Sequence, residues 1–106
     1  MQLPEGASLR EISPWYNELT IPRSLLVPNT SPDGMWAKVV VESGRLEIAI
    51  GEGASEPVVS DQPVNIPPGT SFQVISPATP VRFHIHYFTT PQHGDAEGLA
   101  AMLSRG

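Results

Sequence analysis

Alternating apolar and polar residues occupy most of this chain, in short stretches bounded by proline or glycine. A two-residue period is typical of strands that are buried on one face. Residues 35–42 and 45–50 show the period clearly, and Ser43-Gly44 between them predicts a tight hairpin. The same pattern predicts further strands at 24–27, 63–66, 71–75 and 81–88. These stretches together indicate an all-β domain.

The segments between and after the strands have a different character. Residues 51–57 are acidic and glycine-rich, which predicts a loop, and IPPGT (66–70) predicts a rigid turn because proline fixes φ. Residues 95–104 are rich in alanine and leucine behind Asp95, a helix-capping residue, so we expect a short C-terminal helix there. Many short strands in 106 residues favour a sandwich or small barrel over an open sheet.

Composition narrows the classes of function. A net charge of −5, with only six lysines and arginines, makes nucleic acid and anionic membranes poor partners. The chain has no cysteine, which excludes disulfides, thiol nucleophiles and thiolate metal sites. Its first residues lack the pattern of a secretion signal, and no apolar run approaches the ~20 residues of a spanning helix. We therefore expect a single cytoplasmic domain over residues 1–106.

Two local patterns resemble the halves of a cupin: VVVESGRLEI (39–48) and IPPGTSFQV (66–74). Over about residues 12–91 the chain is similar to the small TehB/YeaR-like cupins, which are associated by name with tellurite resistance. This similarity also rests on SPWYNELTIPRSLL, DGMWAK and VRFHIHYF. It implies a double-stranded β-helix, here a jelly-roll barrel over about residues 10–90, with a small central cavity that often holds a divalent metal. It implies little about substrate, because cupins include enzymes, sensors and binding modules.

At the positions where the family carries metal ligands, this sequence differs. The resemblance implies one histidine at the position of Asn29, a second at that of Phe72, and a carboxylate near His86. Asparagine is a poor ligand for zinc or iron, and phenylalanine is none. The resemblance therefore implies a degenerate metal site, and we expect no tightly bound metal and no other cofactor.

His84 and His86 are the main chemical candidates in the chain. In an extended strand over RFHIHYF (82–88) both imidazoles point to one face. Three interpretations stay open: the polar side of an ordinary strand, part of a metal-free pocket, or two ligands of a metal site. A zinc or iron site needs a third protein ligand. The loop residue His93 cannot be placed from the sequence.

Three classes of function remain open. The chain can be a small-molecule binding or sensing module, a metal-dependent cupin enzyme of dioxygenase or isomerase type that uses His84 and His86, or a non-catalytic interaction protein. No phosphate-loop, paired-carboxylate or nucleophile motif appears, so we favour binding without catalysis. The expected ligand pocket is lined by five residues: Asn29, Trp36, Phe72, His84 and His86.

Large aromatic residues in the N-terminal arm suggest how the arm is attached. Trp15 and Tyr16 lie in the proline-bounded segment SPWYNELTIP (13–22). Such an arm packs either onto its own domain or onto a second copy. Since small barrels often pair in this way, we expect a homodimer.

Overall fold

The computed structural model describes residues 2–90. Within them the chain forms two 3-10 turns, at Arg23–Leu25 and Pro32–Gly34, and eight β-strands. The strands are β1 (Ser8–Ile12), β2 (Tyr16–Asn17), β3 (Trp36–Gly44), β4 (Leu46–Ile50), β5 (Ser55–Val58), β6 (Val64–Ile66), β7 (Phe72–Ile75) and β8 (Val81–Thr89). The all-β prediction is confirmed.

The strands form two antiparallel sheets. Sheet A has the order β1-β8-β3-β6, with β2 also paired to β8, and sheet B has the order β5-β4-β7. β8 therefore pairs with three strands that come much earlier in the chain. Over residues 2–90 the two sheets do not join into a closed barrel.

The hydrophobic core lies between the two sheets. Sheet A contributes alternate residues of β3 and β8, and sheet B contributes alternate residues of β4 and β7, each at most 1% exposed: Ala37, Val39, Val41, Phe83, Ile85, Leu46, Ile48, Phe72 and Val74. These are the apolar positions of the two-residue period. Their close packing fills the space between the sheets with aliphatic and aromatic side chains.

The hairpin predicted at Ser43-Gly44 is wrong. β3 pairs with β6 and β8, whereas β4 pairs with β5 and β7, so the chain crosses from sheet A to sheet B at Arg45. Gly44 has a φ of +82°, and a Cβ atom on it would lie 2.3 Å from the carbonyl oxygen of Pro80. A close approach to β8 therefore requires this glycine, at the point where the β3–β8 register shifts.

Other local predictions have mixed outcomes. The strands predicted at 63–66, 71–75 and 81–88 are confirmed as β6, β7 and β8. The strand predicted at 24–27 is wrong, because this segment lies partly in the 3-10 turn that follows Pro22. The loop predicted at 51–57 contains the start of β5, and β1 carries no buried residue that a pattern could mark. The helix predicted at 95–104 lies outside the described residues.

Candidate functional site

His84 and His86 lie on the face of β8 that points away from the core. Along this strand Val81, Phe83 and Ile85 are buried, while His84 and His86, which alternate with them, are partly exposed. The Nε2 atoms of the two imidazoles are 2.9 Å apart, and the rings meet at 70°. At this distance one ring donates its Nε2 proton to the Nε2 lone pair of the other.

Trp15 holds His84 in place. The two rings stack with their centroids 3.8 Å apart and their planes 8° apart, and the Arg82 guanidinium carbon lies 4.4 Å from the centre of the same indole. Arg82 and His84 are two residues apart on one strand face, about 7 Å, so a single aromatic ring can contact both. The Arg82 Nε atom also pairs with Glu42 at 2.6 Å.

The rest of the N-terminal arm is attached to β8 as well. The Ser13 backbone N–H donates to the Ile85 carbonyl at 2.8 Å, and the Ile85 N–H donates to Ser13 Oγ at 2.9 Å. Tyr16 packs against Phe83 with ring centroids 5.6 Å apart. Of the two attachments that the sequence leaves open for Trp15 and Tyr16, the structure shows packing onto the arm's own domain.

Burial makes both imidazoles harder to protonate. The pKa of His84 is lowered from its ordinary value of 6.5 by desolvation first, and then by the neighbouring His86 and Arg82. The pKa of His86 is lowered by desolvation and then by Lys38. Both rings are therefore neutral at pH 7, and each keeps one unprotonated nitrogen.

Apolar side chains surround this pair on the outer face of sheet A. In the strand register His86 lies between Ile12 and Lys38, His84 lies opposite Val40, and Phe88 lies between Leu9 and Trp36. Leu9 and Ile12 are each 49% exposed and Trp15 is 40% exposed. We call the following residues the outer-face cluster: Leu9, Ile12, Trp15, Trp36, Val40, His84, His86 and Phe88.

Asn29 and Phe72 meet at a different place, beside sheet B. Their backbones exchange two hydrogen bonds, of 2.9 and 2.7 Å, and the Asn29 side-chain amide donates to the Phe72 carbonyl at 2.9 Å. The Phe72 ring is buried in the core. A metal does not fit these two side chains, because the Asn29 amide oxygen is a weak ligand for zinc or iron and the Phe72 ring has no ligating atom.

The five residues predicted to line one pocket therefore fall into two groups. Asn29 and Phe72 lie together, His84 and His86 lie together, and the backbone of sheet A separates the pairs. Trp36 alternates with the buried Ala37, so it lies on the outer face with the histidines and does not line the interior. The expectation of a single pocket is overturned because neighbouring residues of a strand point to opposite faces.

Comparison with known proteins identifies the family. A sequence model of the TehB-like domain matches residues 12–85. The chain belongs to the TehB-like domain family. Among solved structures, TehB from Haemophilus influenzae is similar to this TehB-like domain with a TM-score of 0.75 and 14% identity, over 94% of this chain and 41% of TehB. A protein of E. coli strain K12 matches with a TM-score of 0.75 and 17% identity, over 86% of this chain and 98% of that one.

These similarities have a defined scope. At such identities the solved structures show a shared fold, and this TehB-like domain spans less than half of the TehB chain. A comparison with curated protein sequences gives no match.

Further features of the TehB-like domain bear on the site. Within residues 2–90 no group of three or more His, Cys, Asp or Glu side chains could hold a metal ion, and His93 lies outside that range.

In the same part of the chain no helix is long and apolar enough to cross a membrane. A groove of about 270 Å³ at the end of sheet B is lined by Arg45, Glu47 and residues 75–79. Arg45 and Glu47 form an exposed ion pair at 2.9 Å.

Sequence reasoning did not connect Trp15 with the histidines. Trp15 belongs to the arm by its position, and its contact with His84 depends on the pairing of the arm with β8, almost seventy residues later. No local pattern signals a contact of that length. The one available signal is compositional: aromatic residues in a proline-bounded arm must pack against some other part of the protein.

Proposed function

We propose that this TehB-like domain is a cytoplasmic binding module that takes a small molecule on the outer-face cluster, without catalysis. The observation that carries the proposal is the His84–His86 pair. Its rings are neutral, half-buried, joined by a 2.9 Å hydrogen bond and braced by Trp15. Such a pair offers one donor and one acceptor in a fixed arrangement, which lowers the entropy cost of binding.

The side chains beside the pair favour a flat ligand. Trp36 and Phe88 are cross-strand neighbours on β3 and β8 and present half-buried aromatic surface next to His86. Binding sites commonly combine such apolar walls with a few fixed polar groups. The ligand class that fits is a planar aromatic compound that carries one hydrogen-bond donor and one acceptor on an edge.

The filled interior supports a role on the outside of the domain. We propose that the two sheets are the halves of a cupin-like double-stranded β-helix, as the resemblance implies. Phe72, which stands where the resemblance implies a metal-ligating histidine, is packed in the apolar core together with Leu25. A metal-dependent enzyme that uses His84 and His86 has less support, because the described residues supply two imidazoles and no third ligand.

A thermal-shift screen tests the proposal. Planar compounds such as nucleobases, phenols and aromatic carboxylates are added to untagged protein, since a ligand that binds only the folded state raises Tm. We expect hits whose effect disappears in His86→Ala and persists in Arg45→Ala, which alters the groove on sheet B. Compounds whose Tm shift is unchanged in His86→Ala but absent in Arg45→Ala would instead place the binding site in that groove. A screen with no stabilising compound would contradict the proposal.

A further inference from the structure

We propose that two copies of this domain bind one zinc-like divalent ion between their outer faces, with His84 and His86 of each copy as its four ligands. This site is separate from the interior position at Asn29 and Phe72. It separates the two imidazole rings that the proposed small molecule needs as a hydrogen-bonded pair, so the two ligands exclude each other. A zinc titration without any planar aromatic compound has an outcome that does not depend on that proposal.

The imidazole pair is already close to the geometry of a chelate. Its two Nε2 atoms face each other at 2.9 Å. Two nitrogens that bind one tetrahedral zinc ion, each at about 2.0–2.1 Å, are about 3.3 Å apart. An opening of a few tenths of an ångström by small ring rotations, together with a shift of the donated proton from Nε2 to Nδ1 of its ring, lets both Nε2 lone pairs point at one ion.

The surroundings leave the coordinating edges available. Trp15 covers the flat face of the His84 ring, whereas the Nε2 atom lies on the ring edge that points toward His86. The stacking therefore orients the ligand without blocking it. A neutral imidazole that carries its proton on Nδ1 has no proton to lose before its Nε2 atom binds a metal.

A single copy supplies half of a coordination shell. Structural zinc sites are closed by four protein ligands, and residues 2–90 contain no group of three candidate ligands. An isologous interface duplicates every residue on it. A two-fold axis through the His84–His86 pair therefore brings four imidazoles to one point, so the site is incomplete without the second copy.

The outer face also has the character and the size of a metal-dependent interface. Leu9, Ile12 and Trp15 expose apolar surface around the pair. The nine residues of β8 extend about 30 Å, and four strands side by side are about 19 Å wide, so the face covers at most about 600 Å². Stable interfaces bury about 800 Å² per partner. The face alone is thus too small for a tight dimer, and the shared metal ligation supplies the rest of the free energy that stabilises the dimer.

Light scattering with metal analysis tests the proposal on the untagged protein. After removal of metal with EDTA we expect a monomer. Addition of half an equivalent of Zn²⁺ is expected to double the mass, with one zinc per two chains. His84→Ala and His86→Ala are expected to stay monomeric with zinc, and His93→Ala, the matched control at the third histidine of the chain, is expected to dimerise normally.

A second variant separates coordination from folding. Lys38 faces His86 across the strands and lowers its pKa, so its positive charge also opposes a dication. Lys38→Gln is expected to lower the zinc concentration needed for dimerisation several-fold, which a merely structural role of the histidines would not produce. Each of five results would overturn the proposal. They are one zinc per monomer, a dimer that persists in EDTA, a zinc-bound dimer of His84→Ala/His86→Ala, loss of the zinc dimer in His93→Ala, and no response to zinc.

Discussion

Asn29 and Phe72 are joined by three hydrogen bonds, two between their backbones and one from the Asn29 side chain to the Phe72 carbonyl. The Asn29 Nδ2 atom donates to the Val27 carbonyl as well, at 3.0 Å. The segment that precedes β3 is thereby tied to the start of β7. An asparagine at this position has a structural explanation that needs no metal.

Removal of the Asn29 amide is expected to destabilise the protein. Asn29→Ala leaves the Phe72 carbonyl with one partner fewer and should lower the free energy of unfolding by about 1–2 kcal/mol. Urea denaturation measures the loss. Gln62→Ala, at an exposed side chain, is the control and should change stability by less than about 0.5 kcal/mol. Equal effects of the two substitutions would argue against the role assigned to Asn29.

Phe72 and Trp36 are expected to differ sharply on truncation, although both are large aromatic residues. Phe72 is 1% exposed in the core, so Phe72→Ala should cost about 3–5 kcal/mol. Trp36 lies half-buried on the outer face, where truncation leaves no closed cavity, so Trp36→Ala should cost much less. Chemical denaturation of both variants checks the assignment of faces, which is incorrect if Trp36→Ala proves the more damaging.

Two glycines with positive φ provide a matched pair. Gly51 has a φ of +62°, and a Cβ atom on it would meet no neighbouring atom within 4 Å. Gly51→Ala should therefore lower the free energy of unfolding only by the backbone strain, about 1–2 kcal/mol. Gly44→Ala adds a contact with the Pro80 carbonyl oxygen at 2.3 Å and should destabilise considerably more. Melting temperatures compare the two variants. A Gly44→Ala protein as stable as Gly51→Ala would show that β8 does not approach β3 so closely.

Glu18 should make the protein sensitive to acid. The Val81 N–H donates to Glu18 Oε1 at 3.0 Å, and this bond is the first cause that lowers the pKa of Glu18 below 4.5. A carboxyl whose pKa is depressed on folding stabilises the protein above its unfolded pKa, and that stability is lost as pH falls through the folded value. Glu18→Gln can still accept the bond but does not titrate.

Melting temperatures measured from pH 6 down to pH 2.5 test this behaviour. The wild-type protein should lose stability more steeply below pH 4.5 than Glu18→Gln does. Glu56→Gln on β5 is the control, because Glu56 is exposed on the other sheet, and it should follow the wild type. Parallel curves for wild type and Glu18→Gln would refute the prediction.

The two-residue period was enough to predict the fold class but not the arrangement of the strands. Alternation along β6, β7 and β8 depends on local burial, so it is visible in the sequence. Position 44 must be glycine because Pro80 and Val81, which lie far along the chain, approach its backbone closely. A glycine required by close approach and a glycine required by a hairpin look the same in a sequence, so the crossing from sheet A to sheet B could not be predicted.

The candidate site was predictable to a similar extent. The spacing of His84 and His86 places both rings on one strand face whatever the fold. Whether that face is inside or outside depends on which side of sheet A meets sheet B, and Phe83 and Ile85 settle this only once the sheets are assembled. Phe72 belongs to sheet B and is buried between the sheets, so it lies away from the surface that carries the histidines.

The order in which the strands pair has a consequence during synthesis. β1, β2 and β3 all depend on β8 for hydrogen bonds, so they leave the ribosome with open edges until residue 89 has followed them. Chains dominated by such long-range pairing fold slowly. The valine-rich middle of β3, Val39–Val41, meanwhile lacks its β8 partner, and an unpaired apolar segment of this kind is prone to aggregation.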